Sequence, residues 1–524
     1  MEWGTTIESF FDRCMEEPAR YDFFNLAFDG KFIIDWLMKN GYVHVEKSKH
    51  EGGPKPGEFT TMISNMGKWY SFTVKWLNGI TTEFRDAAKK FPANMGVAGV
   101  AKAYGLDVSK GELDYAKPRP EGYQPDSDEL DYLDRDVRIV AKALSVQFAA
   151  GLGKLTASSD ALNEFYDVVG GKEAFRKTFP LLSDDMDAQI RKAYRGGWTY
   201  LSPRFKQCKV SSGTVYDVNS LYPSVMYNEL IPYDLPVYKP GKVSTTVERP
   251  IAIFSVTFTA KLRRDHVACI QIKGTSMFGA TEYLTEINDP TQLTVTSVDW
   301  ALWNEQYDIT VYSWDGGYLF KARSGMFCQY IDKWMQVKAE STGGQREIAK
   351  GQLNNLYGKF ATNPDITGKI PVLDGELVRY VTGRAETKEP VYTAAGVFIT
   401  AYARAKTIRV AQLNYDRFIY ADTDSGHFTG TAPILGAEIH PTKLGAWKHE
   451  YYFSEALFVR PKVYLERMVL SGQMHTAFAG LPREVASSLT FADIVHGKEL
   501  RGKLHPKSVE GGVILQDVVY TVKL

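Results

Sequence analysis

Strand-like and helical stretches interleave along this chain without the regular βαβ period of a parallel sheet, and that irregular alternation restricts the fold to α+β architectures. Between residues 205 and 300, β-branched runs dominate in GTVYDVNS, IAIFSVTFTAKL and QLTVTSVDW. Residues 156–200 read as mainly helical and end in IRKAYRGGWTY, and residues 325–360 and 394–412 read as helices. In residues 1–155, helical patterns (IESFFDRCM, FIIDWLMKNGY) mix with short apolar runs, interrupted at 115–129 by YAKPRPEGYQPDSDE. GKIPVL, Asp374-Gly375 and ELVRYV predict a hairpin over 368–381, since Asp-Gly between alternating apolar segments is a strong hairpin signal. The 524 residues leave room for about three to five domains.

Composition narrows the function. Lys+Arg and Asp+Glu number 62 each, so no basic coat covers the protein and a polyanion must be held by a local patch. No run of 18 apolar residues occurs, which excludes a membrane-spanning helix. The start, MEWGTTIESFFDRCMEEP, is acidic and lacks the basic-then-apolar pattern of a secretory signal. Cys14, Cys208, Cys269 and Cys328 are far apart, which argues against a CxxC metal site or a disulfide framework and suits a reducing cytoplasm.

Three segments carry candidate chemistry. In TVYDVNSLYPSVM, 214–226, an apolar strand brings Asp217 to its end before a turn through Ser220, Leu221, Tyr222 and Pro223. In RFIYADTDSGHF, 417–428, two short strands flank Asp422-Thr423-Asp424-Ser425 and put two carboxylates at a hairpin tip. Clustered carboxylates suit hard cations such as Mg²⁺, and a pair of ions can clamp the attacking and leaving oxygens of a phosphoryl transfer. Taken singly, Asp-Thr-Asp-Ser also fits a solvated turn, and Asp217 a turn or helix cap. On a helix, Arg346, Lys350, Asn354 and Tyr357 fall on one stripe, beside an apolar stripe of Ala349, Leu353, Leu356 and Phe360. The polar stripe suits a nucleoside triphosphate, with Lys338 adding charge; alone it equally fits a solvated basic face.

Together and in this order, the segments resemble the motifs of family B DNA polymerases: DVNSLYPS motif A, KGQLNNLYGKF motif B, YADTDS motif C. NNLYGKFATNPDITGK is similar to the protein-primed, phi29-like phage branch, as are YRGG at 194–197, LGAWKHE at 444–450 and Lys462-Val-Tyr464. The resemblance implies a right-hand polymerase: palm at 156–228 and 394–480, fingers at 326–361, thumb at 481–524. It also implies insertions at 229–325 (terminal-protein region 1) and 362–393 (a β-hairpin) that encircle DNA, after an exonuclease-like RNase H-like domain at 1–155. By the same resemblance Asp217 and Asp424, with the Val218 backbone, ligate two Mg²⁺ ions (Mn²⁺ able to substitute), and Asp422 supports them. Ser220, Leu221 and Tyr222 line the nucleotide site, Tyr222 excluding a 2′-hydroxyl by steric collision. Lys338, Arg346 and Lys350 bind the triphosphate, and Asn354 and Tyr357 line the nascent base pair. Tyr194, Gly196 and Gly197 contact the template, Lys462 and Tyr464 hold the primer strand, and Phe28 contacts DNA. Charges around Arg191–Lys209 and Lys498–Lys507 supply the local basic patches.

The exonuclease pattern is partial. FFNLAFDG, 23–30, resembles the second exonuclease motif, with Asn25 and Asp29; Tyr132 to Asp136 resembles the third; Lys110-Gly-Glu112 matches a segment with a further lysine and acid. The first motif, Asp-x-Glu on a strand, is not found before Asp136, since the chain begins just ahead of IESFFDRCM. The Ser-Leu pair expected near the single-strand site is Ala87-Ala88. The expectation is therefore a lost or impaired 3′→5′ exonuclease, with an exposed sheet edge in this domain.

These features imply a protein-primed, processive, strand-displacing DNA-directed DNA polymerase for a linear phage-type genome. Its partners are template-primer DNA, dNTPs and a terminal protein acting as primer. It is expected to be a monomer in the cytoplasm of a bacterial host, away from membranes. The alternatives are a residual single-strand-specific exonuclease acting through Asn25, Asp29 and Asp136, or a degenerate homologue that only binds DNA.

Overall fold

The computed structural model describes all residues except 1, 2, 5, 47–52, 94, 115–116, 121, 273–282, 482, 502–504, 510–511, 517–518 and 523–524. It begins with α1 (Ile7–Cys14), β1 (Ala19–Phe23), α2 (Leu26–Lys39), β2 (Val43–His44), β3 (Glu58–Ile63), β4 (Trp69–Lys75) and β5 (Thr81–Asp86). These strands form one sheet in the order β1-β5-β4-β3-β2, with β1 parallel to β5 and no described strand on its other side. The helices α3 (Val97–Tyr104) and α4 (Ser127–Ala149) follow. The charged stretch before α4 ends in a capping box, Asp126 accepting from the Glu129 N–H while Glu129 accepts from the Asp126 N–H.

Next come α5 (Ala157–Val168), α6 (Lys172–Thr178), α7 (Asp184–Arg191), β6 (Thr199–Leu201), β7 (Lys209–Val210), β8 (Gly213–Val218) and α8 (Leu221–Asn228). Then β9 (Ile231–Lys239), β10 (Ile251–Leu262), β11 (Glu286–Thr296) and β12 (Tyr307–Arg323) build a sheet in the order β11-β10-β12-β9. Between β11 and β12 lies α9 (Ser297–Gln306). The strand expected from QLTVTSVDW stops at Thr296, whose hydroxyl accepts from the Asp299 N–H and starts a helix that the β-branched run had masked.

The packed helices α10 (Cys328–Glu340) and α11 (Gly343–Phe360) lead into the antiparallel hairpin of β13 (Asp365–Asp374) and β14 (Leu377–Thr387). The hairpin is longer than the expected 368–381, and its turn is Gly375-Glu376 rather than Asp374-Gly375, because Asp374 still pairs with Leu377. Gly375 supplies the left-handed conformation this turn needs, with φ 62°. The hairpin leans on the N-terminal sheet: Ser64 bridges Gly368, the Arg384 N–H donates to Glu46 at 3.2 Å, and Trp69 and Tyr380 meet edge to face.

The rest comprises α12 (Thr393–Leu413), β15 (Phe418–Asp422), β16 (Ser425–Thr429), β17 (Trp447–Arg460), β18 (Val463–Met468) and β19 (Met474–Phe478), then short strand pairs to the C-terminus. A large sheet runs β19-β18-β17-β8-β16-β15-β6, with β7 on β17. Behind it, α12 is buried along nearly its whole length, rich in Ala and Thr, so neighbouring elements approach its backbone closely. The main core gathers α12, α11, α5, the sheet of β9–β12 and the middle of the large sheet. No helix among the described residues is long and apolar enough to cross a membrane.

Candidate active site

Backbone pairing brings two separate acids together. Asp217 is near the end of β8, and β8 pairs with β16 so that Asp217 faces Ser425. The next residue back, Asp424, accepts the Val218 N–H at its carbonyl, 2.8 Å away. The turn that presents Asp424 is tight: Thr423 has φ 67°, donates its N–H to Trp198 at 2.8 Å, and accepts at its carbonyl from the Thr407 hydroxyl at 2.9 Å. Burial pushes Asp217 up to about 7, with the charges of Asp424 and Glu450 adding to it and those of Lys448 and Lys338 opposing. Burial, helped by Asp422, also raises Asp424 above the ordinary carboxylate range.

Adjacent acids held above their usual pKa form a site that a cation stabilises. Among the described residues no three His, Cys, Asp or Glu side chains converge into a self-sufficient metal cage. The donor set is an open one, Asp217 and Asp424 beside the Val218 main chain. It fits a hard ion that takes one or two carboxylates and completes its shell with water and phosphate oxygens. Asp422 is engaged elsewhere: Lys462 Nζ lies 2.7 Å from both its oxygens, and the Thr199 hydroxyl donates to one at 3.0 Å.

Opposite stands the helix stripe. Ala349, Leu353, Leu356 and Phe360 are buried, while Arg346 and Asn354 are exposed and Lys350 and Tyr357 half-buried. Arg346 donates to the Lys338 carbonyl at 2.7 Å, and Lys350 pairs with Glu347. Lys338 Nζ reaches Ser220 Oγ at 3.3 Å; burial lowers its pKa, with the Arg346 and Lys350 charges lowering it further. Asp217 acts on Lys338 in the opposite sense, which ties the cationic cluster to the acid pair. Ser220 begins α8 with φ 54°, and Leu221 is buried behind it. The rings of Tyr222 and Tyr357 stack with centroids 3.8 Å apart and planes 19° apart, and burial raises the Tyr222 pKa.

The loop at 194–197 touches the acid turn directly. A Cβ on Gly197 would lie 2.3 Å from Thr423 Oγ1, whereas one on Gly196 would meet nothing within 4 Å. Gly197 is thus required by packing against the turn that carries Asp422 and Asp424, and of the two glycines Gly196 opens onto free space. Tyr194 is half-buried, and burial raises its pKa. Tyr464 is a core residue, its ring 5.3 Å from those of Tyr420 and Phe458. Lys462, just before it, is exposed and has φ 61°. Of the basic segment Lys498–Lys507, residues 502–504 lie outside the described residues.

The expected exonuclease residues lie at the start of α2, on α4 and in the segment that precedes α4. The Asn25 N–H donates to Asp86 Oδ1 at 3.1 Å, and burial raises Asp29 to about 6, with the Asp86 charge adding to it. Lys110 Nζ is 3.7 Å from Asp136 and 5.7 Å from the centre of the Tyr132 ring. One buried oxygen of Asp136 has no hydrogen-bond partner. Glu112 is exposed, and Phe28 lies on α2 with its ring 5.7 Å from Phe32. Ala87 and Ala88 open a short 3-10 turn, where Asp86 accepts the Ala88 N–H.

Sequence reasoning missed Arg404 and Asp299. Arg404 on α12 pairs with both oxygens of Asp299 at 2.8 and 2.7 Å and donates to the carbonyls of Arg195 and, at 2.8 Å, Gly196. This buried pair holds the YRGG backbone in place. Its sequence trace is slight, since Arg404 is one of three basic residues, with Lys406 and Arg409, on the same helix.

Residues 116–433 match the family described as DNA polymerase type B, organellar and viral. The DNA polymerase of Bacillus phage M2 is 40% identical across 99% of this chain and 94% of its own length; that of Bacillus phage phi29 is 39% identical across 99% and 93%. The DNA polymerase of Streptococcus phage Cp-1 is 29% identical across 96% of this chain and 87% of its own. Among solved structures, phi29 DNA polymerase complexed with primer-template DNA and incoming nucleotide substrates superposes with a TM-score of 0.92 at 38% identity. That match covers 99% of this chain and 93% of that one. The architecture is accordingly a right-hand polymerase fold, and polymerases of this family generally use divalent metal ions. From the shared motifs, the full-length similarity and the common fold, the chain belongs to the type B DNA polymerases of the organellar and viral class and is a DNA-directed DNA polymerase of phage type.

Proposed function

We propose that this polymerase is protein-primed, strand-displacing and Mg²⁺-dependent, with Asp217 and Asp424 as its metal-binding acids. The observation that carries this is the adjacency of the two carboxylates, both with raised pKa, across from Lys338, Arg346 and Lys350. A primer 3′-hydroxyl attacks the α-phosphate of a dNTP in line, and pyrophosphate leaves. Asp217, Asp424 and the Val218 main chain would hold Mg²⁺, which when bound would neutralise charge at the reacting phosphate. Lys338, Arg346 and Lys350 take the triphosphate oxygens, which relieves their mutual repulsion. The Tyr222–Tyr357 stack forms the floor of the sugar and base site, and the rigid Tyr222 ring excludes a 2′-hydroxyl. Asp422 acts on Lys462, keeping that ammonium beside the primer end.

The finer organisation belongs to the same reading. Palm residues 156–228 and 394–480 carry the acids, residues 326–361 act as fingers and 481–524 as thumb. The segments 229–325 and 362–393 surround the DNA and give processivity. The partners are template-primer DNA, dNTPs and a terminal protein whose hydroxyl primes synthesis, and the enzyme works as a monomer in the cytoplasm of a bacterial host. Because no Asp-x-Glu pair stands before Asp136 and Lys110 already pairs with Asp136, we propose weak 3′→5′ trimming by the 524-residue chain.

The test is extension of a primed single-stranded circle, beside a single-strand degradation control. The expected result is product longer than the circle and little trimming. A protein that shifts DNA but incorporates no dNTP contradicts the polymerase reading, and steady 3′ trimming contradicts the exonuclease proposal.

A further inference from the structure

One fully buried carboxylate has no part in the chemistry above. Glu466 lies on β18, four residues beyond Lys462 and two beyond Tyr464, with 0% exposure. In sheet order β18 and β16 are separated by β17 and β8, yet the sheet coils enough to bring His427 Nδ1 of β16 within 2.8 Å of Glu466 Oε1. Tyr451 of β17 donates its hydroxyl to Glu466 Oε2 at 2.7 Å, and that hydroxyl lies 3.0 Å from Nδ1 of His475 on β19. Four strands thus converge on one acid. The rings of Tyr464, Tyr420 and Phe458 pack around His427, with centroids 5.2, 5.3 and 5.6 Å away.

A carboxylate in such surroundings is unfavourable unless it is paired. Burial pushes the Glu466 pKa up, but the His427 imidazole and hydrogen bonds from His427, His475 and Tyr451 outweigh it and bring it to about 2. A buried pair of this kind adds little net stability over apolar packing; its best use is to select one arrangement among several. Here it joins the two halves of the site. β16 continues directly from Asp424, and β18 directly follows Lys462.

We infer that Glu466 is a positioning residue for polymerisation: through His427 it locks the strand that follows Lys462 to the hairpin bearing Asp422 and Asp424, and through Tyr451 it ties in β17, which lies beside that strand. The primer end and the metal-binding acids then keep a fixed separation. This rests on the roles proposed above for those residues.

The experiment is steady-state primer extension by the full chain, with active sites titrated, comparing wild type, Glu466→Ala, Glu466→Gln and Asp424→Ala. For Glu466→Ala the KM for primer-template rises roughly tenfold and kcat falls, while the KM for dNTP stays within about twofold, because the network does not touch the fingers. Glu466→Gln accepts from His427 through its carbonyl oxygen and donates its amide N–H to the Tyr451 hydroxyl oxygen, and it restores both values to within about threefold of wild type. A smaller active fraction with unchanged primer-template KM, or no recovery with glutamine, overturns the inference. Should Glu466→Ala fail to fold, Tyr451→Phe and His427→Asn replace it, and an unchanged primer-template KM in both is equally decisive against it. The Asp424→Ala arm separates the two levels: full activity there refutes the proposed site, whereas an inactive Asp424→Ala beside an unaffected Glu466→Ala refutes only the positioning role.

Discussion

Asp217 makes the most direct residue-scale prediction, because its ionisation opposes folding. Its folded pKa of about 7 lies above an unfolded carboxyl value of roughly 3.9. The protonated form is therefore the one the fold favours. That contribution is fully present below about pH 4 and is lost as pH rises through about 7. Metal-free Asp217→Asn should melt above wild type at pH 8, the gap closing towards pH 4, and added Mg²⁺ should stabilise wild type alone. Calorimetric scans at both pH values check this; a gap independent of pH contradicts it. Gly197 gives a second case. Gly197→Ala puts a methyl 2.3 Å from Thr423 Oγ1 and must displace the turn that carries Asp422 and Asp424. We expect kcat to fall by about tenfold to a hundredfold, with partial recovery in the double variant Gly197→Ala/Thr423→Gly, measured by single-nucleotide incorporation. The strand-end and hairpin-tip placement of Asp217, Asp422 and Asp424 was legible in the sequence, whereas Gly196 and Gly197 were named only by the family resemblance, as template contacts. Their partners were not: Lys462 is 40 residues from Asp422, and Asp299 is 105 from Arg404. No local pattern encodes pairings of that range. For the same reason, a tyrosine read as a primer contact, Tyr464, is mostly core.

At the scale of elements, periodicity carried most of the reading. The apolar stripe of α11 is buried as its spacing implied, and it holds the cationic stripe in place. Leu356 has 0% exposure, so Leu356→Ala should destabilise the protein by about 2–5 kcal/mol. Because the stripe positions Lys350 and Tyr357, the KM for dNTP should rise as well. Urea unfolding followed by tryptophan fluorescence, alongside dNTP titration, tests both parts; a lost core leucine with unchanged stability contradicts the packing argument. Errors arose where a local signal overrode propensity. Thr296 caps a helix inside a β-branched run, and the β13–β14 turn sits one residue beyond the Asp-Gly pair because Asp374 stays in the ladder.

At the scale of the whole molecule, the chain must fold almost completely before it has a site. Asp217 and Asp424 meet only because β8 and β16 pair across the whole stretch of chain that runs from Asp217 to Asp424, and Lys338 reaches them from a helix pair within that stretch. The hairpin of β13 and β14 then leans back onto the N-terminal sheet, joining regions far apart in sequence. The α+β class was visible in the interleaved pattern, but the coiling of the large sheet that brings β16 to β18 was not, since it depends on long-range pairing. The most direct measurement is primer extension by Asp217→Ala and Asp424→Ala across a Mg²⁺ titration. Each variant should lose at least about a thousandfold in kcat without recovery at high Mg²⁺, while still binding primer-template DNA. Incorporation near the wild-type rate by either variant would contradict the assignment of these acids as the shared metal site.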